Sequence, residues 1–294
     1  MEFGSSDLFC QSFMVFSGND FIATDGVAEG DPLIFGEDLL VDDYYTLQPD
    51  ALPNRLSIAQ NAGAALVVGP DSGTGTAGNT VHVDSHLLLI DRLGNTLEAL
   101  LLVEELGGLA VAIHLLPLGA LQPKVEYRLS GIRQQGTRHR LAQVPLLQFP
   151  LGTRVATADN ILRTVEDIKT GDRILAEDGR KMTVHWVGAT PLLSSRAMAP
   201  VMVDAGRFGN EKALLLSPRH RVLGQLLRNK MGQDGIRQIE PKLMTYVQMV
   251  VVDPQAVRID GASADCLFIG HPARSAANAQ HPVPQQAAAQ HNWR

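Results

Sequence analysis

The side chains best suited to chemistry in this sequence are two cysteines and nine histidines. Cys10 and Cys266 lie near opposite ends of the chain, so they form neither a CxxC metal knuckle nor a disulfide framework. None of the histidines falls in an HxH or HExxH pattern, so we predict no metal and no cofactor. Cys266 is expected to be a small buried apolar residue. One histidine, His220, closes the block Ser217-Pro218-Arg219-His220 directly after an apolar run.

Composition places the chain among folded globular proteins. Of its 294 residues, 45% are hydrophobic and 19% are charged, a balance that allows a substantial core. The length suggests two domains, or one large β domain with additions. The formal net charge of -6 provides no overall positive field, so we predict no nucleic-acid partner and no attraction to an anionic membrane.

The N-terminus and the apolar runs bear on localisation. Glu2 and Asp7 stand where a secretory signal carries basic residues, and the apolar run that follows is short. We therefore expect no Sec signal, which leaves the cytoplasm or export by a signal-independent route. Later apolar runs end at Glu104 and Asp253, far short of the ~20 residues that cross a bilayer, so we expect no membrane span.

Short apolar runs separated by glycine, proline, asparagine and aspartate predict a mainly β protein. Gly and Asn at Asp91–Asn95 and Leu106–Leu109 favour hairpin turns, because these residues adopt positive φ at low cost. Asn95–Leu106 also fits a helical period, and the sequence leaves strand or helix open there. The strands predicted before residue 131 are Ala65–Val68, Thr80–Val83, His86–Asp91, Leu97–Leu106, Leu109–Leu115 and Lys124–Leu129.

Two shifts in composition divide the chain. The stretch after Ile132 is polar with almost no apolar face, which favours a solvated linker over a basic docking or protease-sensitive segment. The C-terminal stretch repeats Ala, Gln, Asn, Pro and His without apolar periodicity, which predicts a disordered tail. We predict an N-terminal antiparallel β domain at 1–135, a linker at 136–145, a second β domain at 146–271 and a flexible tail at 272–294.

The second predicted domain contains several informative blocks. GTRVAT at Gly152–Thr157 is followed by VEDIKTGDRIL at Val165–Leu175, by HWVG at His185–Gly188 and by LLSPRHRVL at Leu215–Leu223. In this order and spacing they resemble the Hint (Hedgehog/intein) domain, in the form found in bacterial, especially alphaproteobacterial, proteins. The resemblance covers about residues 149–269 and implies an all-β horseshoe of twisted strands.

The resemblance also implies a chemistry and its residues. In Hint domains a cysteine, serine or threonine attacks the preceding carbonyl, and a histidine protonates the departing nitrogen. Ser217 to His220 matches the family's T-x-x-H block, which gives His220 that role and places the Ser217 hydroxyl on the oxyanion side. A histidine bonded only to backbone is the structural alternative for His220. Phe149 and Gly152-Thr153 match the family's opening C-F-x-x-G-T, which places Gln148 at the nucleophile position.

Gln148 departs from the family pattern in a way that bears on activity. A carboxamide cannot form a thioester, and no cysteine or serine lies within several residues. Where relatives often carry a histidine after an aspartate, this chain reads Asp253-Pro254-Gln255. We therefore predict a non-catalytic structural or interaction protein built on a degenerate Hint domain, with a protein partner or self-assembly and an open oligomeric state. The alternative is a self-processing autocatalyst that cleaves or splices a peptide bond.

Overall fold

The computed structural model describes residues 10–61, 63–194, 196 and 199–267. Strands dominate this part of the chain, which confirms the mainly β prediction. The predicted disordered tail at 272–294 lies outside the described residues. Within the residues described, no helix has the length and apolar character needed to cross a membrane.

Nine strands of the N-terminal half form one antiparallel sheet. They are β1 (Cys10–Ser17), β2 (Phe21–Asp25), β3 (Tyr44–Leu47), β4 (Asn54–Gln60), β5 (Leu66–Val68), β6 (Thr80–Asp91), β7 (Thr96–Leu106), β8 (Leu109–Pro117) and β9 (Glu126–Arg133). Their order is β2-β3-β9-β6-β5-β4-β1-β8-β7, and β7 also pairs with β6. This extra pairing joins β6, β5, β4, β1, β8 and β7 into a ring, which we call the closed sheet.

The structure decides two points in the prediction for the N-terminal half, one that was left open and one that was inexact. Within Asn95–Leu106, residues Thr96–Leu106 form β7, because hydrogen bonds to β6 on one edge and β8 on the other hold them extended, so the helical alternative is wrong. The strands predicted at Thr80–Val83 and His86–Asp91 are one strand with a bulge between Val83 and Ser85. Both predicted hairpin turns are confirmed, with Gly94, Gly107 and Gly108 at positive φ.

The second half contains a second nine-stranded sheet and two small ones. Its elements are α1 (Thr137–Leu141), β10 (Pro145–Pro150), β11 (Arg154–Ala156), β12 (Leu162–Thr164), β13 (Arg173–Leu175), β14 (Lys181–Thr183), β15 (Trp186–Leu193), β16 (Val201–Val203), β17 (Leu214–Leu216), β18 (His220–Val222), β19 (Gln225–Leu226), β20 (Ile236–Gln238), β21 (Leu243–Val250), β22 (Val257–Ile259) and β23 (Ala262–Leu267). The main order is β12-β11-β22-β23-β10-β21-β15, and β18 lies between β23 and β19. β13 pairs with β14, and β16 lies between β17 and β20.

The alternating apolar pattern of Met182–Val187 predicts a single strand, but the structure divides this stretch between two sheets. Val184 still bonds to the turn before β13, through its amide to the Asp172 carbonyl (2.9 Å). The His185 amide instead donates to the Val250 carbonyl (2.8 Å), which belongs to β21. The chain therefore changes sheets between Val184 and His185, a change that an alternating apolar pattern does not record.

Helix α1 lies where the sequence favoured a solvated linker. Thr137 and Leu141 are buried, and the Thr137 hydroxyl donates to the Val83 carbonyl (2.7 Å). Arg140 forms an ion pair with Glu98 of β7 (2.8 Å). The expectation of a wholly solvated segment is therefore wrong for α1, since five residues are too few to show an apolar period in the sequence. The division into two domains stays a prediction.

The interior of the closed sheet joins the two halves of the chain. Its buried cluster includes Phe13 and Val15 of β1 together with Leu141, Leu146 and Cys266 from the second half. Burial of Cys266 among apolar side chains confirms the prediction made for it. Because these residues fill one end of the closed sheet, the two halves share a continuous core there.

Leu141→Ala tests whether α1 belongs to that core. The truncation leaves a cavity among buried side chains, so we expect the free energy of unfolding to fall by about 2–5 kcal/mol. Leu151→Ala is the matched control, because Leu151 is 50% exposed and its truncation is expected to cost less than about 0.5 kcal/mol. Urea unfolding followed by circular dichroism measures both changes. Equal effects would contradict the packing of α1.

Candidate functional site

The site is built around β10, the first strand of the second half. β10 pairs with β21 on one edge, where Gln148 lies opposite Gln248, and with β23 on the other, where Leu146 lies opposite Cys266. Strands on both edges leave little of β10 exposed, and Gln148 itself is only 2% exposed. A side chain at this position is therefore enclosed by the protein and has almost no contact with solvent.

His220 reaches Gln148 although 72 positions separate them. His220 begins β18, lies opposite Cys266 of β23, and is completely buried. Its Nε2 atom lies 2.8 Å from the carbonyl oxygen of Gln148. The structure therefore brings together the two residues that the sequence placed at the nucleophile and histidine positions.

The hydrogen bonds determine which nitrogen of His220 carries the proton. A carbonyl oxygen only accepts, so Nε2 must donate to the Gln148 carbonyl. Nδ1 then accepts from the Ser217 amide (3.0 Å). Burial lowers the pKa of His220 to about 4, against the smaller opposing effect of its two backbone hydrogen bonds, so the ring is neutral at pH 7.

His220 hydrogen-bonds to one of the two peptide groups that flank Gln148. If Gln148 occupies the nucleophile position, the bond that the family's chemistry would break is Leu147–Gln148, which contains the Gln148 nitrogen. The carbonyl that accepts from His220 belongs to the next peptide, Gln148–Phe149. The Phe149 ring also packs against the imidazole, with centroids 5.4 Å apart. His220 therefore holds the backbone on the C-terminal side of Gln148.

Ser217 stabilises the turn that leads from it to His220. Its Oγ accepts from the Arg219 amide (3.3 Å), and its carbonyl accepts from the His220 amide (3.0 Å). Ser217 is buried, and its amide is the group that fixes the His220 ring. The structure places Ser217 in contact with His220, and its contacts with the histidine are made through the backbone.

The side chain of Gln148 is held by the N-terminal half of the chain. Its Oε1 accepts from Nε2 of Gln11 on β1 (3.0 Å), and Gln11 is itself only 1% exposed. Gln248 makes a second bond pair with β1, accepting from the Ser12 amide (3.1 Å) and donating to the Ser12 carbonyl (2.9 Å). These four residues form what we call the glutamine clamp.

Sequence reasoning missed three members of the clamp. Gln11 lies 137 positions from Gln148, and Ser12 lies 236 positions from Gln248, so no local pattern joins them. A further contact crosses the same junction, where the Arg55 guanidinium lies 4.2 Å from the centroid of the Trp186 ring. The polar residues Gln11 and Ser12 in an otherwise apolar strand were the available sequence signal.

Two other positions considered from the sequence have structural partners. Asp253 accepts from Arg180 (2.8 Å) and from Gln255 (3.1 Å). Burial, with a smaller contribution from Asp265, raises the pKa of the Cys266 thiol to about 12, so the thiol stays protonated at neutral pH. Cys266 lies opposite His220 in the sheet but is not a thiolate nucleophile.

Comparison with known proteins identifies the second half. Residues 147–271 match the family model of the Hint domain. No curated protein matches the chain. A Hint domain is therefore present in this protein, as the sequence blocks predicted, while its bacterial type and the roles of Gln148, Ser217 and His220 stay predictions.

The glutamine clamp can be tested by a double-mutant cycle on Gln11 and Gln148. Gln11→Leu and Gln148→Leu each leave the partner amide buried without its hydrogen bond, so each is expected to cost about 1–3 kcal/mol of unfolding free energy. The double variant should cost clearly less than the sum, because no orphaned amide remains. Gln233→Leu, at an exposed glutamine, is the control. Additive costs in urea unfolding would contradict the clamp.

His220 predicts a dependence of stability on pH. Its folded pKa, about 4, lies below the unfolded value of 6.5, so the unfolded chain binds the extra proton. The stabilisation is complete above pH 6.5 and is lost as the pH falls towards 4, by up to about 1.4 kcal/mol per pH unit. His220→Gln should lack this contribution, so the difference in unfolding free energy between the two proteins should shrink on acidification. A constant difference would contradict a neutral buried His220.

Proposed function

We propose that this chain is a non-catalytic protein in which a degenerate Hint domain acts as a structural or interaction module. The observation that carries the proposal is the state of Gln148, whose side chain is buried and bonded to Gln11. The residue at the nucleophile position therefore joins the two halves of the chain. The proposed role is a polar anchor at the place where Hint chemistry would begin.

The first support is the lack of a competent nucleophile. A carboxamide nitrogen shares its lone pair with its carbonyl and does not form the ester or thioester that autoprocessing requires. The Gln148 carboxamide oxygen already accepts a hydrogen bond from Gln11. The nearby thiol of Cys266 is protonated at neutral pH and lies in an apolar cluster.

The second support is the state of His220. Protonation of a leaving nitrogen needs a histidine that can supply a proton near neutral pH. Burial keeps the pKa of His220 at about 4, and its single ring proton is donated to the Gln148 carbonyl. These properties favour a histidine that fixes β10 in place over one that transfers protons.

The self-processing alternative has one observation in its favour, the contact between His220 and Gln148. The presence of a Hint domain is compatible with both functions. The mass of the purified protein distinguishes the structural function from the self-processing one. A structural protein keeps its covalent chain, whereas an autocatalyst divides it at the Leu147–Gln148 bond or splices it.

We expect the purified full chain to keep its mass of 31.7 kDa during prolonged incubation at neutral pH, with or without dithiothreitol or hydroxylamine. Intact-mass spectrometry makes the measurement. Time-dependent release of a fragment that begins at Gln148 would overturn the proposal.

Two variants determine how far the site has degenerated. Gln148→Cys restores a nucleophile, and Gln148→Cys with His220→Ala is its matched control. We expect both to stay intact, because Nε2 of His220 donates to the carbonyl of residue 148 and not to the scissile nitrogen. Cleavage of Gln148→Cys that requires His220 would instead assign the whole loss of chemistry to the nucleophile.

A further inference from the structure

The closed sheet has a second end, opposite the one filled by Leu141 and Leu146, and this end is polar. Side chains alternate across a strand, so every second residue of β1, β4, β6, β7 and β8 faces the interior. The interior cluster contains Val15, Leu56, Val81, Leu102 and Leu116. Two positions further along the same faces stand Ser17, Asn54, Asn79, Glu104 and His114. We call these five residues the polar mouth.

A buried carboxylate organises the polar mouth. Glu104 is only 1% exposed and accepts from the Thr76 amide (2.8 Å), the Asn79 side chain (2.6 Å) and Nε2 of His114 (3.3 Å). His114 is 5% exposed. A buried carboxylate is costly unless it is well bonded, and three donors satisfy this one. Neither Glu104 nor His114 takes part in the glutamine clamp or the Hint site.

A cleft of about 420 Å³ opens onto the polar mouth. His114, Ser17 and Asn54 provide its polar wall, and Phe35 and Ile113 are among its apolar residues. This volume lies within the usual range for small-molecule sites, which occur in the mouths of closed sheets. The cleft therefore has the size and the mixed lining of a ligand site.

The hydrogen-bonding groups of the cleft define what it can hold. Nε2 of His114 bonds to Glu104, and no described residue bonds to Nδ1, which leaves Nδ1 for a ligand. The Ser17 hydroxyl accepts from the Asn19 amide (3.2 Å), which leaves its own hydrogen to donate. The Asn54 amide nitrogen donates to the Leu52 carbonyl (3.3 Å), which leaves the side-chain oxygen as an acceptor.

The charge of the cleft excludes some ligand classes. Among the described residues no lysine or arginine lines it, and the carboxylate of Glu104 lies directly behind His114. An anion would meet no lysine or arginine and would face that carboxylate. A hydroxyl group, which both donates and accepts, fits Nδ1 of His114, the acceptor of Asn54 and the donor of Ser17.

We infer that the polar mouth of the closed sheet binds a small neutral molecule that presents a ring to the Phe35 side and a hydroxyl group to His114 and Ser17. The inference concerns the N-terminal half and does not depend on the role of the Hint domain. It gives the buried pair of Glu104 and His114 a function, since the bond to Glu104 holds the imidazole with Nδ1 available to the ligand.

Phenol is the probe, titrated into the isotope-labelled full chain and followed by amide chemical shifts. We expect saturable shifts centred on Ser17, Asn54 and Ala112, with a Kd of roughly 1–10 mM, as suits a ligand of so few atoms. Toluene lacks the hydroxyl and benzoate carries a charge, so each should bind about tenfold more weakly. Toluene binding equal to phenol, stronger benzoate binding, or no saturable shift would overturn the inference.

Matched variants locate the binding. Ala112→Phe fills the cleft at the position opposite Glu104 in the sheet, and it should abolish the phenol shifts. Ala120→Phe places the same side chain in a separate cleft and should leave phenol binding unchanged. Ser17→Ala removes the donor, together with the bond that its oxygen accepts from Asn19, and should weaken binding several-fold, with circular dichroism to confirm that each variant folds. Phenol binding that persists in Ala112→Phe would contradict the site.

Discussion

A buried amide must find a hydrogen-bond partner, and in this protein that requirement decides how the two halves of the chain meet. Gln148 lies inside a sheet with 2% of its surface exposed, and its side-chain oxygen accepts a hydrogen bond from Gln11 of the first strand. Gln248, opposite Gln148 in the same sheet, bonds both backbone groups of Ser12. Removing either partner would leave a polar group orphaned, so the position of β1 against β10 and β21 is strongly specified.

The same constraint explains the state of the histidine. His220 is fully buried, so its charged form would lose the hydration that water provides, and the neutral ring persists. A neutral ring has one donor and one acceptor, and the protein uses both, on the Gln148 carbonyl and the Ser217 amide. The proposed structural role of the Hint domain thus rests on hydrogen bonds that hold the backbone next to the bond that the family's chemistry would break.

The apolar interior of the closed sheet ends differently on its two sides. At one end Leu141, Leu146 and Cys266 from the second half extend the core. At the other end the interior positions become polar and meet solvent through a cleft next to His114. Asn79 and His114 at that end each bond to the buried carboxylate of Glu104. Part of the hydrogen-bonding capacity at that end is directed towards solvent.

The sequence by itself determined the mainly β character, the hairpins around Gly94 and Gly107-Gly108, and the Hint assignment of the second half, because turn residues and short apolar runs act locally and the motif blocks keep their order. It also identified Gln148 and His220 as a pair, through the family resemblance. Only the tertiary structure decided that β7 is a strand, that α1 packs into the core, and that Gln148 bonds to Gln11. Each of these depends on partners far away in sequence, whose hydrogen bonds and burial outweigh local preference, and a single sequence carries no record of such distant pairs.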